Sequence, residues 1–227
     1  MNNLNVIYED NHIIVVEKIV NVPSQGDKTG DEDMLTIIKK YLKEKYNKPG
    51  DVYLGLVHRL DRPVGGVMVF AKTSKAASRL SNQVREKNFS KKYLVIVDGK
   101  MEKDQDTFED YLLKNERTNT SRVVDKDTKN AKLASLDYKV LKYNIEINLS
   151  LVEVNLHTGR HHQIRLQFSS RGHSIYGDQK YGTRGRGKQI CLWAYELQFN
   201  HPTTNERLIF KCIPEPVGSW KILEEIQ

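Results

Sequence analysis

Apolar and polar residues alternate with a period of two along much of the chain, and three stretches switch to helical spacing. Val6-Ile7-Tyr8 and the run from His12 to Glu17 flank the turn former Asp10-Asn11, which predicts an edge hairpin. From Asp31 to Tyr46, Leu35, Ile38 and Leu42 share a helical face, with acidic residues in the first turn and lysines in the last, and Pro49-Gly50 beyond. That pattern predicts an amphipathic helix. Tyr53 to Val57 and Val67 to Ala71 read as strands on either side of a connection punctuated by Pro63, Gly65 and Gly66. Ser74 is placed to cap a helix reaching about Asn88, with Ala77, Leu80 and Val84 on one face, before a strand from Tyr93 to Val97.

The second half repeats the alternation. Ser135 to Leu141 and Ile145 to Leu156 read as paired strands, and apolar residues move from odd to even positions at Leu151 and Val152, which predicts a β-bulge there. Thr158 is placed to cap a helix from about Arg160 to Arg171, with Ile164 and Phe168 inward and Gly172 as terminator. Strands follow at Cys191 to Phe199 and Arg207 to Ile213. Residues 99–131 are polar, with Phe108, Tyr111, Leu112 and Leu113 as a small apolar knot, so a surface excursion of low order is expected. Helices among mainly hairpin-connected strands give an α+β class around a mixed, mainly antiparallel sheet.

Composition narrows the partners. The chain has 227 residues, enough for one substantial domain spanning 1–227. Lys and Arg number 36 against 29 Asp and Glu, a formal charge of +7 with an isoelectric point near 9.2, which suits an anionic partner. Between Arg171 and Lys188 stand Arg171, Lys180, Arg184, Arg186 and Lys188 against Asp178 alone, so the basic charge concentrates late in the chain. Cys191 and Cys212 sit in apolar runs outside any metal spacing and read as reduced core thiols. The N-terminus lacks a signal pattern, and no stretch approaches the roughly 18 apolar residues of a membrane span, so a soluble cytoplasmic monomer is expected.

The chemistry concentrates in His58-Arg59-Leu60-Asp61-Arg62-Pro63, a carboxylate between two arginines on a turn joining two strands. A cation within about 4–6 Å holds an aspartate ionised, which prepares Asp61 as nucleophile or base. His157, His161 and His162 lack a carboxylate or cysteine to complete a zinc set, so they are assigned to backbone or phosphate rather than metal. The run Tyr181 to Lys188 lacks the P-loop order and reads as a basic loop, either simply solvated or touching nucleic-acid backbone through Arg184 and Arg186.

Four further segments complete a series with the Asp61 turn: Lys92-Tyr93-Leu94-Val95; His157-Thr158-Gly159-Arg160-His161-His162-Gln163-Ile164-Arg165; Gly172-His173 through Tyr181-Gly182; and His201-Pro202 after the Leu192 run. In this order they closely resemble the RluA-type pseudouridine synthases across nearly the whole chain. The resemblance implies the fold of that family with a central active-site cleft, an RNA substrate of ribosomal or transfer type, and no cofactor. It implies Asp61 as the catalytic carboxylate, Arg165 as the cation paired with it, and Tyr93 as the platform beside the uracil. It also implies Arg59 as the residue filling the gap left by a flipped base. His58, Arg62, Arg160, His161 and Gln163 join Arg184 and Arg186 as substrate contacts. Three departures accompany it: Glu17-Lys18 is followed by Ile19 rather than proline, Val64-Gly65-Gly66 replaces a serine-containing turn, and the chain opens directly on the catalytic domain's first strand without an S4 domain. The competing readings are an RNA-binding protein of the same fold without catalysis and, far behind it, a hydrolase using Asp61 with a histidine.

Overall fold

The computed structural model describes residues 4–183 and 187–226. The chain divides into two compact units, one of residues 1–90 with 194–213 and one of residues 91–193 with 214–227, within what the sequence is expected to form as one domain.

The first unit opens with β1 (Val6–Glu9) and β2 (Ile13–Lys18), the expected edge hairpin, whose turn is closed by Asp10 Oδ1 accepting the N–H groups of His12 and Ile13 at 2.7 and 2.8 Å. α1 (Met34–Lys45) is shorter than its pattern predicts. The acidic residues Asp31 to Asp33 precede it, and Asp33 serves as N-cap by accepting Thr36 N–H at 3.1 Å. A short β3 (Gly55–Leu56) pairs with β4 (Gly65–Ala71), all of whose residues are buried. α2 (Ser74–Arg85) is capped by the preceding Thr73, not by Ser74, and stops short of Asn88 because Lys87 enters the left-handed region at φ 61°.

Helix termination follows one rule in both units. Asn47, Lys87 and Gly172 are left-handed at φ 49°, 61° and 82°, and the next residue returns an N–H to the carbonyl five positions back. Those bonds run from Lys48 to Lys43, Asn88 to Gln83 and His173 to Phe168. These are Schellman closures, and a non-glycine residue at two of them explains why glycine alone did not mark the ends.

The second unit holds β5 (Ser90–Asp98), β6 (Gln105–Asn115), β7 (Thr120–Val124), β8 (Lys132–Asn144), β9 (Leu149–Leu156) and α3 (Gln163–Ser169). Its strands lie in the order β5-β9-β8-β6-β7 with antiparallel pairings. Residues 99–131 are therefore ordered for much of their length, against the expected excursion. Phe108 turns inward onto Tyr138 and Phe168, with ring centroids 4.7 and 5.2 Å away, so part of the apolar knot is core. The bulge falls at the expected level but on the opposite strand. Val140 pairs with Val152 and Lys142 with Leu151, leaving Leu141 as the extra residue. Leu151 and Val152 are both fully buried, so the change of phase on β9 reflects a strand covered on both faces.

The chain re-enters the first unit at Ala194 with most of β10 (Leu192–Asn200), followed by β11 (Arg207–Lys211). There β1, β2, β4 and β10 lie side by side, and β11 pairs with β10. Ile13 to Val16, Val67 to Ala71, Leu80 and Phe199 are buried at its centre, with Phe89 stacked on Phe199 at 5.3 Å. Both cysteines are buried thiols. No helix among the described residues is long and apolar enough to cross a membrane.

Gly66 of β4 lies against the main chain of Ala194 on β10. Its φ is +119°, and a Cβ there would lie 2.2 Å from the Ala194 carbonyl oxygen. Gly66→Ala combines a backbone that L-residues avoid with a clash against main chain, so it is expected to cost on the order of 3 kcal/mol. A thermal melt should register this as a midpoint lower by roughly 10 °C; an unchanged midpoint would contradict the contact.

Candidate active site

Asp61 lies in the connection between β3 and β4, and the main chain on both sides of it is held. On the N-terminal side, buried Ser24 donates its hydroxyl to Leu60 O at 2.9 Å and accepts Leu60 N–H at 3.2 Å. On the C-terminal side, Val64 N–H closes a turn onto Asp61 O at 3.0 Å. Beneath that turn the fully buried Lys18 donates from Nζ to the carbonyls of Ile19, Arg62 and Val64 at 3.0, 2.9 and 2.7 Å. Three carbonyls match the three N–H groups of an ammonium. Burial pulls the Lys18 pKa down to about 7, and the charge of Asp61 acts in the opposite direction.

Sequence reasoning passed over Lys18 as a functional residue. The available signal is its phase: it continues the Ile14 and Val16 face of β2, where a lysine is out of place unless its ammonium has partners.

The neighbours of Asp61 divide into different jobs. Arg59 is exposed. Arg62 is engaged by the 21–31 segment: its guanidinium pairs with Asp31 and with Asp27 at 3.5 Å, and also donates to Thr29 Oγ1 at 2.9 Å and Asn21 O at 3.1 Å. His58 is buried, accepts Val69 N–H on Nε2 at 3.2 Å, and packs against Phe89 at 5.4 Å, which is work inside the core.

The other expected site residues belong to the second unit. Tyr93 is buried in β5 opposite Val154 of β9. The segment leading into α3 is fixed by Gln163, whose Oε1 accepts Thr158 Oγ1–H at 2.7 Å and Arg160 N–H at 3.0 Å, while Nε2 donates to Ser135 O at 3.1 Å. Thr158 thus braces this turn rather than capping the helix, which begins at Gln163 after His162 adopts φ 53°. The expected start at Arg160 is too early because the chain must make this left-handed step first. Arg160 is exposed and donates from Nε to Leu133 O at 2.8 Å. His161 joins Ser121 Oγ through Nδ1 at 2.9 Å, and His157 joins Asp137 at 2.7 Å.

Arg165 is buried on α3 and reaches both oxygens of Asp178, through Nε at 2.8 Å and Nη2 at 2.6 Å. The sequence shows Asp178 only as a counter-charge in a basic stretch, and the structure gives it a bidentate arginine partner. Asp178 Oδ1 also accepts the N–H groups of Lys180 and Tyr181 at 2.8 and 3.1 Å. Burial alone would raise the carboxyl pKa, but Arg165 and those two N–H groups hold it below the ordinary value. Tyr181 places its ring 5.4 Å from the Arg165 guanidinium. Arg184 and Arg186 lie outside the described residues.

Residues 12–170 match the family described as RNA pseudouridylate synthase. An RNA pseudouridine synthase of Aquifex aeolicus is 36% identical over 240 residues, covering 98% of this chain and 73% of the relative. The ribosomal large subunit pseudouridine synthase C of Salmonella typhimurium is 34% identical over 212 residues, covering 88% of this chain and 63% of the relative. Among solved structures, human RNA pseudouridylate synthase domain containing 1 superposes with a TM-score of 0.76 at 25% identity, over 99% of this chain and 86% of its own.

Proposed function

The chain belongs to the RNA pseudouridylate synthase family, and on that premise, with a ribosomal large subunit synthase among its relatives, we propose that it isomerises uridine to pseudouridine in ribosomal RNA, with Asp61 as the catalytic carboxylate. The observation that carries the assignment to Asp61 is the grip of Ser24 and Lys18 on the main chain either side of it. Holding a reactive group in one geometry before substrate arrives removes entropy from the barrier.

The reaction breaks the bond between ribose C1′ and uracil N1, turns the base, and joins C1′ to C5. The C5 proton leaves and N1 gains one, so atoms balance without a co-reactant. Asp61 acts at C1′ as nucleophile or on the proton as base, and either role needs the ionised form. Arg165 is assigned to stabilise that charge, and Tyr93 to offer its ring to the uracil and its hydroxyl near C5. A base inside a stem must leave its stack at a cost of a few kcal/mol. Exposed Arg59 is assigned to fill the gap, where a planar guanidinium stacks on bases.

The test is to incubate the purified chain with in vitro transcripts of bacterial large-subunit ribosomal RNA and of transfer RNA, then map pseudouridine by carbodiimide labelling and primer extension. Modification at discrete positions in the ribosomal transcript is expected. Modification of transfer RNA alone would overturn the substrate assignment. Binding without product from either transcript would favour the non-catalytic RNA binder.

A further inference from the structure

Tyr181 is a heavily bonded residue beside Arg165 that the proposed chemistry leaves without a role. Its phenol oxygen accepts the N–H of Ser121 on β7 at 2.7 Å and meets His162 Nδ1 at 2.8 Å. The phenol hydroxyl forms this bond with either tautomer of His162, donating its proton to a bare Nδ1 or accepting from a protonated one. That bond fixes the ring of His162, the left-handed residue immediately before α3. The ring of Tyr181 lies 5.4 Å from the Arg165 guanidinium, and its N–H is held by Asp178, the same carboxylate that holds Arg165. Its carbonyl accepts the hydroxyls of Ser169 at the end of α3 and of Ser174 beyond it, at 2.7 and 3.2 Å.

One residue therefore touches the start of α3, its end, the guanidinium it carries and the carboxylate that anchors that guanidinium. It also reaches the hairpin formed by β6 and β7. We propose that Tyr181 is a positioning residue, whose hydroxyl locks His162 and the β6–β7 hairpin so that the Arg165 guanidinium is held in its working orientation. This rests on the functional reading above, in which Arg165 stabilises the reacting carboxylate. Tyr181 touches no reacting atom, and its contribution is to remove the freedom of a buried arginine before RNA binds.

Tyr181→Phe separates the two parts of the side chain, since it keeps the ring on Arg165 and deletes only the hydroxyl bridge. The expected result is a fall in kcat of roughly 10- to 100-fold, the scale of small misplacements in an ordered site. The dissociation constant for the ribosomal transcript should stay within about twofold, because no phosphate contact is lost. A second readout does not depend on turnover: the Arg165 Nε–H resonance in a 15N-labelled protein should shift or broaden. His162→Asn, which tolerates the left-handed backbone but shortens the side chain, should move the same resonance and serves if Tyr181→Phe does not fold. An unchanged Arg165 resonance in the folded variants overturns the proposal, whether or not turnover falls. An unchanged kcat overturns it as well. Absence of product from the unsubstituted protein would instead remove the functional reading, while the resonance still reports on Tyr181.

Discussion

Asp61→Asn is expected to lower pseudouridine formation by at least about 10⁴-fold, the scale on which removing one reactive side chain disables an ordered site. RNA affinity is expected to remain within a few-fold. The substitution is nearly isosteric, and the contacts that shape the turn are made by Leu60, Arg62 and Val64 main chain with Ser24 and Lys18, none of which uses the Asp61 side chain. What disappears is a negative charge and a nucleophilic oxygen. Lys18 provides an internal check: the charge of Asp61 raises its pKa against the pull of burial, so the Asn variant should lower that pKa further. Single-turnover assays on the ribosomal transcript, with filter binding in parallel, test the expectation. Turnover within tenfold of the unsubstituted protein would mean that Asp61 is not the reacting group.

Asp178→Ala is expected to have the largest effect on stability, about 3–5 kcal/mol, because it leaves the buried Arg165 guanidinium without its bidentate partner. It also strips the acceptor from the N–H groups of Lys180 and Tyr181. Asp178→Asn should cost less, since an amide oxygen still accepts one guanidinium N–H while its NH₂ opposes the other. The same pair sets a pH dependence. The folded pKa of Asp178 is depressed, so its contribution is fully present above the ordinary carboxylate value and is lost as pH falls through the depressed one. Urea denaturation at neutral and acidic pH should show the difference between parent and Asn variant shrinking in acid. A difference that grows in acid would contradict the pairing.

Much of the fold was legible because burial follows the period of the chain. The β1–β2 hairpin, the strand pair around Asp61 and the three helices all follow from apolar spacing with turn residues between. Errors gathered where a local conformation carried no compositional mark. Lys87 and His162 take left-handed backbones that sequence assigns to glycine or asparagine, so two helix boundaries moved. The β6–β7 hairpin was missed because charged residues cover its exposed positions, while Phe108 and Leu112 supply its buried anchors. At the candidate site the motif residues were visible, but their supports were not. Ser24 and Lys18 reach the Asp61 turn, Asp178 reaches Arg165 and Tyr181 reaches His162 across 13 to 46 residues, and single residues at such separations leave no periodic trace. Gln163 shows the converse: a motif residue expected to contact substrate is bonded to Thr158, Arg160 and Ser135 of its own fold.

The grip of Ser24 and Lys18 on main-chain atoms has a consequence for how such a turn can change over generations. A loop shaped by contacts to its own side chains must keep them, but one shaped through carbonyls and an amide places few demands on the residue displayed. Position 61 is in that sense a socket with one demand of its own: a glutamate there keeps the negative charge that raises the Lys18 pKa, whereas a neutral cysteine or histidine gives it up and loosens the ammonium's hold on the turn. The frame fixes where a reactive group stands, and one codon fixes what that group is.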